Sequence, residues 1–161
     1  MVLLVLLMVW ATAAGQSSFG GGPWRLSAVM LPDAAPAEPT IPLWFGVRNE
    51  ASNAKLVCVG GWDATLRAAA GNEGFGRGVS PHACLNVGSY EIVLPGETHY
   101  TVVAMDPRRV SLRDVSGLEL RVTIFEWTTG ESSRRRESAL TWSGSPETAR
   151  AAGDKLGLVA R

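Results

Sequence analysis

Tyr90-Glu91-Ile92-Val93-Leu94 and His99-Tyr100-Thr101-Val102-Val103-Ala104-Met105, separated by Pro95-Gly96-Glu97-Thr98, form the stretch from which the fold is read. β-Branched and aromatic residues dominate both runs and favour extended backbone. Pro95-Gly96 suits the central pair of a type II turn, with proline fixing φ and glycine accepting φ > 0. The stretch therefore reads as strand, turn, strand, a hairpin on which the other strands are expected to stack.

Outward from it, period-two alternation recurs. Trp24, Leu26, Ala28 and Met30 share one face of a strand running from Trp24 to Leu31. The proline-rich run from Pro32 to Pro42 excludes helix and is read as loop. In Leu43–Asn49, Leu43, Phe45 and Val47 alternate with Trp44, Gly46 and Arg48. A polar turn leads from there into Lys55–Val59, read as the antiparallel neighbour of Leu43–Asn49. Leu118, Leu120, Val122 and Ile124 alternate with Glu119, Arg121, Thr123 and Phe125, which marks a half-buried strand and four core positions. Val110-Ser111-Leu112 reads as a short strand, Thr129–Glu137 as a polar hairpin tip and Ala139–Trp142 as the returning strand.

Between Gly60 and Pro81 the alternation breaks, with two helical turns conceivable over Asp63–Ala70, and the segment is read as an irregular loop. About seven strands and almost no helix give an all-β fold, an antiparallel β-sandwich of immunoglobulin-like type, with a small β-barrel as the alternative. The chain divides into a signal peptide at 1–15, a flexible leader at 16–23, the sandwich at 24–144 and a loose tail at 145–161, with a helical turn around Glu147–Ala152.

The signal reading rests on Met1–Gly15, an apolar run too short for a membrane span, which takes roughly 20 residues. It ends in small residues at Ala11-Thr12-Ala13. Export to the periplasm or the medium follows, with no membrane association after cleavage. In an oxidising compartment Cys58 and Cys84, the two cysteines of the chain, make one disulfide. A metal set of His82, Cys84, Cys58 and Asp63 matches no ligand spacing, and a bridged pair offers no thiolate, so no metal and no cofactor are expected.

Among the 161 residues, fifteen basic and fifteen acidic side chains cancel, so no global field draws nucleic acid or anionic lipid. No nucleophile elbow accompanies His82 or His99. The glycines at 71, 74, 76 and 78 lack the strand–loop–helix setting and the Gly-Lys-Ser/Thr ending of a phosphate loop. No catalytic residue is assigned. Arg134-Arg135-Arg136 is flanked by Glu131 and Glu137 and reads as a solvated turn.

What remains is aromatic surface. Trp62 and Phe75, with Arg67 and Arg77 as polar anchors, lie in the segment 60–81, and Trp44 lies on the face opposite Leu43, Phe45 and Val47. The expected function is a non-enzymatic exported module that binds a protein or envelope component or builds envelope structure. A hydrolase inhibitor presenting the tethered loop 60–81 is the alternative, and an enzyme of unknown type comes third. The mature chain is expected to begin between Ala14 and Gln16; mass spectrometry of exported protein checks this, and an intact Met1 in that fraction would show that the run is retained as an anchor.

Overall fold

The computed structural model describes residues 16–18, 22–30, 43–68, 71, 73–79, 84–103, 115–129 and 134–155. The elements are β1 (Gln16–Ser18), β2 (Trp24–Met30), β3 (Leu43–Asn49), β4 (Lys55–Ala68), β5 (Glu73–Val79), β6 (Glu91–Val93), β7 (Thr98–Val103), β8 (Val115–Thr128), β9 (Arg134–Gly144) and α1 (Pro146–Lys155). The larger sheet has the order β1-β9-β8-β4-β5 with β6 also on β4, and the smaller has the order β2-β3-β7. Among the described residues every pairing is antiparallel and neither sheet closes, so the fold is an open β-sandwich and not a barrel.

Inner faces follow the alternation. Trp24, Leu26, Ala28 and Met30 from β2, Leu43, Phe45 and Val47 from β3, and Leu118, Leu120, Val122 and Ile124 from β8 are all buried in one core. One polar contact also ties the sheets, and a second braces its acceptor from the neighbouring strand. The Trp24 indole Nε1 donates to Glu126 Oε2 at 3.1 Å, and Lys55 Nζ lies 2.7 Å from Glu126 Oε1.

The stretch 90–105 does not form the expected hairpin. Glu97 N donates to Leu94 O at 3.0 Å across Pro95-Gly96, and Gly96 has φ of 75°, so the turn is the type II turn the sequence specifies. Its two arms, however, belong to different sheets: β6 pairs with β4 and β7 with β3. The reason is Asn49, a fully buried side chain at the end of β3. Its Nδ2 donates to Val93 O and Asn53 O at 2.9 Å each, and its Oδ1 accepts from Ala51 N at 2.9 Å. Its backbone N–H donates to Glu97 O at 3.0 Å and its carbonyl accepts from Gly96 N at 2.8 Å. The end of β6 and the start of β7 are thus held around one residue, and the turn becomes a crossover. By the same crossing, β3 and β4 are not neighbours, contrary to the sequence reading.

The largest correction is 60–81. Residues 60–68 continue β4, and 73–79 return as β5, with Gly61 opposite Val79 and Arg67 opposite Glu73. The alternation broke because β4 carries a bulge: its register on β8 shifts between Val59 and Gly61. One extra residue resets the parity, so Val57 and Val59 before it and Trp62, Ala64 and Leu66 after it all turn toward the core. Glycine is required at the bulge, since a Cβ on Gly60 would run into the Phe125 ring. In β5, Gly74, Gly76 and Gly78 oppose Leu66, Ala64 and Trp62, leaving that strand bare on its inner side.

Other segments also differ from expectation. Within 16–23, read as a leader, Gln16–Ser18 pairs with Thr141–Ser143 of β9. Arg134–Arg136 lie in β9 opposite Glu126, Trp127 and Thr128, not at a hairpin tip. The segment read as a tail holds α1, whose start is capped by Ser145 Oγ accepting from Thr148 N at 3.3 Å, with Pro146 in the first turn. Ala149 enters the core, and Gly153 lies against the Met30 carbonyl so closely that a Cβ would not fit. The signal segment 1–15 and the strand expected at Val110–Leu112 lie outside the described residues. Among the described residues no helix is long and apolar enough to cross a membrane.

Asn49→Ala removes three side-chain hydrogen bonds and leaves the buried Val93 carbonyl without that donor, so it is expected to cost about 2–4 kcal/mol. Denaturant unfolding monitored by tryptophan fluorescence checks this; a loss well below 1 kcal/mol would show that the crossover does not depend on it.

Candidate functional site

β3 is the central strand of the smaller sheet, and its outward residues Trp44, Gly46 and Arg48 each lie in a row across three strands. The first row is Val29–Trp44–Val102, the second Ser27–Gly46–Tyr100 and the third Arg25–Arg48–Thr98. Val29 is buried, since Gly153 of α1 lies against it. Trp44 is half-buried, while Tyr100 and Val102 are 37% and 53% exposed. A Cβ at Gly46 would come within 2.8 Å of Tyr100 Cε1 and 2.6 Å of Thr98 Cγ2. The Tyr100 ring therefore rests against bare backbone, and the absent side chain keeps this part of the face flat. Arg25 and Arg48 are exposed, and Arg48 Nε lies 3.1 Å from Glu50 Oε1.

The five residues singled out from the sequence do not converge. Trp44 belongs to this outer face. Trp62 is on the inner side of β4, half-buried and packed on the core. Arg67 is exposed on the opposite side of β4, 3.2 Å from Glu119 Oε2. Phe75 and Arg77 are the register partners of Thr65 and Asp63. Trp62 and Arg67 thus face opposite ways, and the inward one packs against the core. Tyr100 and Val102 join Trp44 on this face; the sequence signal for them is Tyr100 and Val102 alternating with His99 and Thr101, a pattern that puts the larger apolar groups on the side away from the core.

A second apolar layer covers the outer side of the larger sheet. Cys58 and Cys84 are joined by a disulfide and packed with Tyr90, Leu56, Phe125 and Trp127. Tyr90 and Trp127 meet edge-on with centroids 5.7 Å apart, and the Arg135 guanidinium sits 4.3 Å from the Phe125 ring centre. Tyr90 Oη donates to Cys84 O at 3.2 Å, and Arg135 Nη1 donates to the same carbonyl at 3.4 Å. Burial raises the Tyr90 phenol above its ordinary pKa, with the Arg135 charge opposing the shift. Cys84 adopts a left-handed backbone with φ of 53°, held by these contacts. Leu85, Ile92 and Leu94 are exposed nearby in sequence, Leu85 directly after Cys84 and Ile92 opposite Leu56. The layer is a small structural core, and the outer face of the smaller sheet is the continuous surface.

Chemically, that face offers an aromatic ring, aliphatic area and guanidinium groups. Among the described residues no group of three or more His, Cys, Asp or Glu side chains is placed to hold a metal ion. His99 Nδ1 meets Glu91 Oε2 at 2.8 Å, a contact between β7 and β6 across the crossover turn.

Replacing both cysteines with alanine opens a loop of 26 residues and is expected to cost about 3 kcal/mol in the chain-entropy model. Denaturant unfolding measures the loss. Far-ultraviolet circular dichroism should stay that of a β protein while the near-ultraviolet signal of Tyr90 and Trp127 changes.

No protein-family model matches this sequence, and no curated protein matches it. Among solved structures, the chain is similar to a protein from Archaeoglobus fulgidus, with 13% identity over 74% of this chain and 94% of that one and a TM-score of 0.31.

Proposed function

We propose that this protein is an exported, non-enzymatic β-sandwich module that binds a protein of its surroundings through the outer face of the smaller sheet. The observation that carries the reading is the exposure of Tyr100 and Val102 beside Trp44 on one register-aligned face flattened at Gly46. Exposed apolar area of this kind, rimmed by polar groups, is what interaction surfaces present. The disulfide fits an oxidising compartment, and the apolar run Met1–Gly15 supports export. The inhibitor alternative needed an irregular tethered loop at 60–81, and that segment is largely a paired hairpin.

Removing the surface without the fold tests the reading. Tyr100→Ala with Val102→Ser touches only exposed positions, so the melting temperature should move by no more than a few degrees. Recovery of a crosslinked partner from an envelope fraction should fall by about tenfold or more, corresponding to ~1.4 kcal/mol. An unchanged set of crosslinked proteins would overturn the assignment of this face.

A further inference from the structure

Resting on that reading, we propose that the partner is a protein surface that sets a carboxylate against Arg25 and Arg48 and an apolar side chain against Tyr100 and Val102. The rows of the face are not equivalent. The first is apolar, the second presents the Tyr100 ring, and the third is basic, so the face is polarised along the strands. Arg48 is four positions along β3 from Trp44, and at the rise of an extended strand the two ends stand ~13 Å apart.

Charge at the basic end is only partly compensated. Arg25 has no ion pair among the described residues, and Arg48 is shared with Glu50, both of them well exposed. Glu97, the residue after Gly96, has its Oε2 engaged by Leu94 N at 2.7 Å. An exposed pair such as Arg48–Glu50 holds little free energy, so an incoming carboxylate can replace it at small cost. The Arg48 guanidinium also runs beside Gly96, where the Pro95-Gly96 turn limits its freedom. The chain has no net charge to draw a polyanion, so the attraction is local and directional. Tryptophan, tyrosine and arginine together are the residues in which protein interfaces concentrate binding energy. A polyanion would satisfy the arginines and leave the apolar row without a partner.

The probe is a display library of random peptides of about twelve residues, long enough to span the face when extended. It is selected on the full oxidised chain and counter-selected on Tyr100→Ala, with Val102→Ser as the second counter-target should Tyr100→Ala melt early. Enriched peptides are expected to carry Asp or Glu about four residues from an aromatic or aliphatic residue. Synthesised and measured by fluorescence anisotropy, they should bind Arg25→Glu about tenfold or more weakly than the unaltered protein. Their affinity should also fall between about 0.05 and 0.5 M salt. Peptides that lack an acidic residue, or that bind Arg25→Glu equally well, would overturn the carboxylate assignment while leaving the proposed function standing. Heparin or a single-stranded oligonucleotide binding tightly, and equally to Tyr100→Ala, would assign the arginines to a polyanion and overturn the inference. Failure of any peptide to distinguish the two proteins would overturn it as well, whereas the proposed function falls only with the envelope crosslinking result.

Discussion

A buried amide with no unmet hydrogen-bonding group sits where the two sheets exchange chain. Asn49 closes β3, fastens the turn that leads into β4 and holds both sides of the crossover from β6 to β7. Such a group is costly to bury and more costly to leave half-matched, so its geometry selects among ways of pairing the strands. Hydrophobic alternation alone does not choose. Each strand would bury its apolar face equally well against several neighbours, and the polar contacts remove that degeneracy. Glu126 adds to the selection, receiving Trp24 from the opposite sheet and Lys55 from the adjacent strand. Replacing such a pair with packed apolar residues is often neutral for stability, so its role here is best understood as fixing which strands face each other.

Strands were legible where each residue alternates with its neighbour without interruption. β2 and β3 have the bounds that alternation suggests to within a residue, and the four inward positions of β8 are fully buried. The type II turn was legible because Pro95-Gly96 specifies its dihedrals locally. Which strands pair was not, because a turn fixes the path of four residues and leaves the partners of its arms to distant contacts. The segment 60–68 escaped because a single bulge residue inverts the pattern midway, and a period-two reading has no means of crossing that inversion. β5 escaped because glycine at alternate positions has poor strand propensity and resembles a flexible linker.

The candidate surface was half legible for a related reason. Trp44 was separable from the core because its neighbours in β3 alternate cleanly. Tyr100 and Val102 belong to a strand in which polar and apolar residues are mixed on both faces, with His99 and Thr101 on the inner one, so sequence alone does not tell its exposed face from its buried one. Trp62 faces inward because of the bulge, its orientation depending on the extra residue at Gly60, which a period-two pattern does not reveal. The Arg25–Arg48 row is invisible without the register, since the two residues are far apart in the chain.

The alternating glycines of β5 bear on how the larger sheet moves. That strand contributes ladder hydrogen bonds to β4 over Gly61–Arg67, but three of its seven residues offer no side chain to bury. Its attachment rests on the backbone more than on the core, which places it at the low end of local stability. β8, paired along most of its length with both β4 and β9, has no such freedom. Partial opening of the sandwich should therefore begin at β5, baring the β4 edge while the disulfide still ties Cys58 to Cys84, so that the detached strand can return to the register it left.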